Sequence, residues 1–258
     1  MADTFEGKVA IVTGGGGGIG RATSIAFAEA GARVVVSDIN VADGEETVTA
    51  IKKAGGEAAF VQTDVSNADS VASMVQRTVA AYGRLDCAFN NAAINLETAV
   101  SLIAKPTDEW DEAIFDRTMA VNAKGVFLCM KYEIRQMLKQ GGGGAIVNTA
   151  SVEGLRGVPG SAGYATSKHA VVALTKVGAL QYAPAGIRVN AVCPGMIRTP
   201  LSKHLLEQIG EERFAASHPI GRIGEPSEIA DAVLWLCSDK ASFVVGQTLG
   251  VDGGITAH

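Results

Sequence analysis

Short apolar runs alternate with amphipathic stretches along the whole chain. Several runs are continuously apolar, such as Ala145-Ile146-Val147, which is typical of strands buried on both faces of a parallel sheet. The predicted strands cover residues 9–13, 33–37, 58–62, 85–90, 145–149, 188–193 and 247–251. The stretches between them predict helices over residues 18–30, 41–54, 67–82, 107–139, 162–182 and 225–238.

This alternation of strands and helices predicts βαβ units with right-handed crossovers. The predicted fold class is α/β, with a single domain over residues 1–258. In it, a doubly wound parallel sheet of about seven strands carries helices on both faces. No linker divides the chain, because the four-glycine run at residues 141–144 is long enough only for a turn. Residues 196–218 mix charged residues with leucines, and we interpret them as a mobile substrate lid. Two plain surface helices fit the same pattern.

Composition narrows the classes of partner. The chain has 258 residues, of which 47% are apolar and 19% charged, enough for a large core. A net charge of −5 without a basic stripe argues against a nucleic-acid partner. The four cysteines are far apart and predict reduced thiols, and the scattered histidines give no metal-ligand spacing. No uncharged apolar run reaches the ~18 residues of a membrane span. We expect a cytoplasmic protein with no metal, membrane or nucleic-acid partner.

A glycine-rich turn follows the first predicted strand and opens the first helix. Within it, Gly14, Gly18 and Gly20 have the spacing GxxxGxG. Glycines allow a tight turn and let backbone N–H groups approach a pyrophosphate, and the helix N-terminus adds its dipole. A glycine-rich turn alone is weak evidence, but its position between a strand and a helix supports a dinucleotide site.

The residue that selects the dinucleotide is predicted to be Asp38, at the end of the second strand. A carboxylate at this point can accept hydrogen bonds from both hydroxyl groups of the adenosine ribose, and it repels a 2′-phosphate. Neither Gly17 nor Ile39 offers a cation for that phosphate. The sequence therefore predicts NAD, not NADP. The alternative is that Asp38 is only a turn residue.

Tyr164 and Lys168 are the candidate catalytic pair. They are four residues apart, so on a helix they project from one face, one turn apart. Bringing a phenol pKa from ~10 to ~7 requires about 4 kcal/mol, which is roughly what a positive charge at ~4 Å provides at an effective dielectric of ~20. Tyr164 is therefore a candidate proton-transfer group, and Ser151 can hold the reacting oxygen. An amphipathic helix with a surface lysine would show the same spacing.

These motifs together resemble the short-chain dehydrogenase/reductase family, and the resemblance covers residues 8–254. Residues 13–20 correspond to its glycine motif, residues 90–93 to its Asn-Asn-Ala-Gly stretch with Ala93 in place of the last glycine, and residues 251–254 to a structural signature near its C-terminus. The resemblance implies a Rossmann fold and hydride transfer between an alcohol and a nicotinamide cofactor.

The resemblance also assigns residues. The catalytic positions are Asn122, Ser151, Tyr164 and Lys168, with Asn122 kinking its helix and continuing a proton relay. It implies that Lys168 lowers the pKa of Tyr164 and binds the nicotinamide ribose. The cofactor positions are Gly14, Gly17, Gly18, Ile19, Gly20, Asp38, Ile39, Asp64, Val65, Asn91, Ala92, Ala93, Tyr164, Lys168, Pro194, Gly195, Ile197 and Thr199.

Substrate contacts are expected from Ser151, Glu153, Tyr164, Met196 and Leu201. This mostly apolar lining suits a small secondary alcohol, and Glu153 could bind a second hydroxyl group; a solvated loop carboxylate is the alternative for Glu153. The chain looks most similar to cyclohexadienediol and other cyclic alcohol dehydrogenases. Sugar or polyol dehydrogenases of the glucose type and 3-oxoacyl reductases share much of the pattern.

Two further expectations come from the family. Its members are commonly homotetramers that use the long helices and the C-terminal segment as interfaces, so we expect a homotetramer. Some proteins of this fold are regulators that bind a dinucleotide without catalysis. That alternative is disfavoured because all four catalytic positions are kept.

Overall fold

Seven parallel strands form one sheet in the computed structural model, which describes residues 5–97 and 105–257. The strands are β1 (Val9–Thr13), β2 (Arg33–Asp38), β3 (Glu57–Gln62), β4 (Cys87–Asn90), β5 (Gly144–Thr149), β6 (Ile187–Pro194) and β7 (Thr248–Val251). Their order is β3-β2-β1-β4-β5-β6-β7. Thr13 at the end of β1 lies opposite Asn90 at the end of β4. The chain therefore changes direction across the sheet between these two strands.

Helices cover both faces of the sheet. They are α1 (Gly18–Glu29), α2 (Val41–Lys53), α3 (Ala68–Tyr82), α4 (Glu112–Met119), α5 (Gly125–Gln140), α6 (Ala162–Tyr182), α7 (Pro200–Ile209), α8 (Glu211–Ala216) and α9 (Pro226–Cys237). Phe27, Ile51 and Ile229 of α1, α2 and α9 are buried on one face. Met74, Ile134 and Val171 of α3, α5 and α6 are buried on the other. The predicted doubly wound α/β domain is confirmed.

The long helix predicted over residues 107–139 is the main error of the sequence analysis. A 3₁₀ turn at Thr107–Glu109 is followed by an extended residue, Trp110, and the helix begins only after Asp111, whose side chain accepts a 2.7 Å hydrogen bond from the Ala113 N–H. Asp111 is an N-cap residue that the apolar periodicity passed over. Between α4 and α5, Ala120–Lys124 forms a π-helical turn.

Residues 196–218 fold as a pair of helices. Thr199 and Ser202 form a capping box at the start of α7, and Pro200 occupies its first turn. The Arg198 guanidinium, which precedes α7, lies 2.6 Å from a Glu211 carboxylate oxygen at the start of α8. This part of the chain therefore has regular structure of its own.

Candidate active site

A cleft of about 650 Å³ opens at the carboxyl ends of the strands, where the strand order changes direction between β1 and β4. Ligands of open α/β sheets bind at such switch points. All the predicted cofactor and substrate residues line this cleft except Gly20, which lies beneath the glycine turn. No helix among the described residues is long and apolar enough to cross a membrane.

The glycine turn has no room for side chains. A Cβ atom on Gly20 would collide with the carbonyl oxygen of Gly14, and one on Gly14 would lie 2.9 Å from the Asn91 amide nitrogen. Gly14 and Gly18 both have positive φ angles, 65° and 49°, which favour glycine. The turn leads directly into the N-terminus of α1. It therefore presents backbone N–H groups in the way that a pyrophosphate requires.

Asp38 forms one end of the cleft. Its carboxylate accepts hydrogen bonds from the Gly16 N–H and the Asn40 N–H, both at 2.9 Å, and Asp43 lines the cleft beside it. The nearby cation, Arg21, is paired with Glu46 at 2.9 Å on the outer side of the turn. This end of the cleft is therefore acidic, and the cation beside it is already paired.

The next part of the cleft carries Ile39, Asp64, Val65 and the 91–93 stretch. Asp64 accepts hydrogen bonds from the backbone N–H and the hydroxyl of Ser66, and these bonds hold the pKa of its carboxyl below its usual value. The Thr13 hydroxyl oxygen accepts from the N–H of Asn91 at 3.0 Å. Residues 91–93 are thus fixed to the end of β1, and Ala93 fits at the cleft wall.

Ser151, Tyr164 and Lys168 meet at the other end of the cleft. Ser151 and Tyr164 both line this end of the cleft. The Lys168 ammonium donates to the Thr149 carbonyl oxygen at 2.8 Å and lies 5.5 Å from the centre of the Tyr164 ring. The sequence thus correctly placed three polar groups side by side, two from α6 and one from the end of β5.

The pKa values correct one expectation. Burial raises the pKa of the Tyr164 phenol, the charge of Glu153 raises it further, and the hydrogen bond with Ser151 lowers it. Burial also lowers the pKa of Lys168 to about 8. Lys168 was expected to lower the pKa of the phenol, but it is not among the protein groups that shift this pKa. The cause is that burial of the phenol dominates, and Lys168 is directed to Thr149.

Asn122 lies one layer below the cleft. It is fully buried in the π-helical turn, and its amide pairs with the backbone of Ile94, accepting at 2.9 Å and donating at 2.8 Å. The same amide nitrogen donates to the Ser167 hydroxyl at 3.1 Å. Asn122 therefore joins the loop after β4 to the helix that carries Tyr164 and Lys168.

Comparisons with known proteins agree with this geometry. Residues 14–256 match the sequence model of a family described as enoyl-(acyl carrier protein) reductase. The chain is 48% identical to a 2,5-dichloro-2,5-cyclohexadiene-1,4-diol dehydrogenase of Sphingobium indicum, with 100% of both chains covered. It is 42% identical to a cyclohexanol dehydrogenase of an Acinetobacter species, covering 100% of this chain and 98% of the relative.

A match to a solved structure identifies the family. A short-chain type dehydrogenase/reductase from Mycobacterium marinum superposes with a TM-score of 0.91 at 35% identity, covering 98% of this chain and 97% of that one. The chain is a short-chain dehydrogenase/reductase. It is thus an oxidoreductase with a nicotinamide dinucleotide cofactor, as the sequence predicted.

The helix pair of this short-chain dehydrogenase/reductase forms the outer wall of the cleft. Leu201, Leu205 and Phe214 of the pair, with Met196 just before it, line the same cleft as Ser151 and Tyr164. His218 fixes the base of the pair: its Nε2 accepts from the Met196 N–H at 3.1 Å, and its Nδ1 lies 2.8 Å from the Phe214 carbonyl oxygen. With these partners, Nε2 is the hydrogen-bond acceptor and Nδ1 the donor.

Sequence reasoning missed four residues of this site. Arg21, Asp43 and His218 lie in or beside the cleft and make contacts that no local sequence motif predicts. Glu97 is buried and binds the N-terminus of α6, 66 residues further along the chain. No pattern in the sequence relates these two segments, so only the folded chain shows the contact.

Proposed function

We propose that this protein is an NAD-dependent dehydrogenase that interconverts a small cyclic secondary alcohol, or diol, and the corresponding ketone. The observation that carries the proposal is the meeting of Ser151, Tyr164 and Lys168 at the end of a cleft that has a glycine cradle and Asp38 at its other end. The mostly apolar wall beside Tyr164 suits a carbocyclic ring. The diol and cyclohexanol substrates in the names of two relatives support it.

The glycine turn fits a dinucleotide. Side chains at Gly14 or Gly20 would collide with neighbouring atoms and prevent the close approach of backbone N–H groups to a pyrophosphate. The residues that would hold NAD are those that the sequence analysis assigned, from Gly14 at the turn to Thr199 at the start of α7. Lys168 would bind the nicotinamide ribose. When bound, NAD supplies the hydride acceptor.

Within the reaction, Tyr164 as phenolate takes the proton of the substrate hydroxyl. Ser151 donates a hydrogen bond to the same oxygen and stabilises the developing charge, as a preorganised donor does. The buried Lys168 ammonium supplies a positive charge close to the phenolate. Asn122 keeps α6 and the loop after β4 in register, so that Tyr164 and Ser151 stay aligned.

A panel of cyclic alcohols with NAD and NADP tests both the reaction and the cofactor. Wild-type protein is expected to reduce NAD with at least one cyclic alcohol and to prefer NAD over NADP. Asp38→Ala should reduce that preference by roughly 10-fold or more, because each ribose hydroxyl loses a charged acceptor worth about 1.5–3 kcal/mol. Absorbance of the reduced nicotinamide measures both rates. Asp69→Ala, an exposed acid on α3, is the control, and an unchanged preference in Asp38→Ala would contradict the assignment.

Residues 196–218 would act as a lid over the substrate. This proposal is supported by their place at the wall of the cleft and by His218, whose Nε2 accepts a hydrogen bond from the Met196 N–H. Closure of such a wall excludes water from the reacting groups.

The cytoplasm is the proposed compartment. All four cysteines, Cys87, Cys129, Cys193 and Cys237, are free and buried, as the sequence predicted. Thiols of this kind suit a reducing environment.

A homotetramer is the proposed assembly. Several large apolar side chains are exposed on the predicted interfaces: Val177 and Leu180 on α6, Phe127 and Leu138 on α5, and Phe243 before β7. Exposed apolar patches of this kind mark contact surfaces. Light scattering should give four times the chain mass, and Leu180→Asp should lower that mass. A monomer mass for the wild type would refute the assembly, and Gln76→Asp, at an exposed position of α3 outside the predicted interfaces, controls for the added charge.

A further inference from the structure

Two carboxyl groups converge on the N-terminus of α6, the helix that carries Tyr164 and Lys168. Ser161 stands at the N-cap position, where a serine hydroxyl usually accepts a hydrogen bond from the first turn. Here it makes no such bond. Glu97 takes its place and accepts from the N–H groups of Gly163 at 2.6 Å and Tyr164 at 3.0 Å. The helix is thus capped by a side chain from another part of the chain.

This arrangement leaves the Ser161 hydroxyl available for Glu153. It donates a short hydrogen bond to Glu153 Oε2. In the described part of the chain, no hydrogen bond is made by the other oxygen, Oε1. Glu153 is half-buried and lines the cleft together with Ser151 and Tyr164. It is therefore held in place at the substrate wall, which argues against a solvated loop carboxylate.

The charge of Glu153 opposes ionisation of Tyr164, the proposed base. Its charge raises the pKa of Tyr164, while burial raises the pKa of Glu153 itself. The charged groups around it are Glu97, which also raises its pKa, and Arg156 and Lys168, which lower it. A half-buried carboxyl group that opposes phenolate formation can be explained by contact with the substrate.

We propose that Glu153, held by Ser161 and supported by Glu97, binds the second hydroxyl group of a cyclic diol, which makes the site selective for diols over monohydric alcohols. This inference rests on the proposed alcohol dehydrogenase function. A carboxyl oxygen accepts a hydrogen bond from an alcohol when ionised, and a neutral carboxyl also donates one. A substrate methyl group in the same place would leave the carboxyl without a partner.

The test compares two substrates of similar size, 1,4-cyclohexanediol and 4-methylcyclohexanol, which differ by a hydroxyl in place of a methyl group. The ratio of kcat/KM for diol over methyl alcohol should fall roughly 10- to 100-fold in Glu153→Ala, the range expected for a hydrogen bond to a charged group. Glu153→Gln, whose amide can still bond to a hydroxyl, should keep more of the ratio. Ser161→Ala should lower the ratio partly, because Glu153 loses the hydroxyl that holds it. The helix itself should persist in this variant, since Glu97 still caps α6.

A second readout tests whether Glu153 carries its charge beside Tyr164. Glu153→Gln removes the charge beside Tyr164, so the rise of oxidation rate with pH should move to lower pH, which a purely structural role would not cause. Oxidation of both substrates with an unchanged ratio in Glu153→Ala would overturn the assignment of Glu153 alone. Oxidation of neither substrate, nor of any other cyclic alcohol, by wild-type protein would overturn the proposed function as well.

Discussion

Replacing Tyr164 by phenylalanine is expected to lower kcat for alcohol oxidation by about 10²–10⁴-fold, the usual contribution of a positioned acid or base. The substitution removes one oxygen from a half-buried ring and keeps the ring itself, so the packing of α6 should persist. NAD affinity should stay nearly unchanged, because the glycine turn, Asp38 and Lys168 are untouched. Stopped-flow or steady-state kinetics give kcat, and quenching of protein fluorescence gives the affinity for NAD.

Tyr182→Phe is the matched control, because Tyr182 ends the same helix far from the cleft. It should turn over as the wild type does. Wild-type oxidation should also speed up with rising pH, since the reactive form is the phenolate and burial favours the neutral phenol. Substantial turnover by Tyr164→Phe, or a flat pH profile for the chemical step, would remove Tyr164 from the mechanism.

The second large effect concerns stability. Glu133 on α5 is fully buried and accepts a 2.9 Å hydrogen bond from the Asn90 amide. Among the residues that the structure describes, the other carboxyl oxygen of Glu133 and the amide oxygen of Asn90 have no hydrogen-bond partner. Two acceptors without a donor indicate a protonated Glu133, whose O–H can donate to Asn90. Consistent with this, burial raises the pKa of Glu133 to about 7.

The raised pKa fixes the sign of the pH dependence. Below about pH 4.5 Glu133 is protonated in both the folded and the unfolded chain, so its contribution to stability is fully present. As the pH rises from about 4.5 to about 7, the unfolded chain loses the proton first, and the free energy of unfolding falls by about 3 kcal/mol. Above this window the loss is complete.

Glu133→Gln is expected to abolish this loss, because an amide cannot ionise and can both accept from and donate to Asn90. Between pH 5 and pH 8 the wild type should lose about 2–3 kcal/mol relative to the variant in chemical denaturation at fixed protein concentration. Glu45→Gln, an exposed acid on α2, should follow the wild type. Parallel pH curves for the wild type and Glu133→Gln would show that Glu133 is not held neutral.

The sequence predicted those parts of the molecule that depend on local geometry. Tyr164 and Lys168 are one helical turn apart wherever the helix is placed, and the glycine turn between β1 and α1 is a local strand-to-helix connection. Asp38 follows from the end of β2. The strand pattern was enough for the α/β class, because continuous apolar runs identify buried parallel strands.

The remaining features depend on tertiary contacts. Glu97 and Gly163 are 66 residues apart in the chain, and Glu133 meets Asn90 across 43 residues. Periodicity also cannot show a helix that begins late, as at Asp111, or the pKa of a phenol, which is set by its surroundings. The protein groups raise the pKa of Tyr164, whereas the sequence analysis expected Lys168 to lower it. The Tyr164 side chain itself lies in the cleft.

The π-helical turn Ala120–Lys124 has a consequence for how this protein can vary. A π turn contains one residue more than an α-helical turn, and each residue of a regular helix rotates the following ones by about 100°. Loss of one residue here would convert α4 and α5 into a straight helix and turn the Asn122 amide away from Ile94 and Ser167. Substitutions along α4 and α5 change single side chains, whereas a deletion at this turn changes the direction of everything after it. The length of the segment is therefore as much a part of the active site as its sequence.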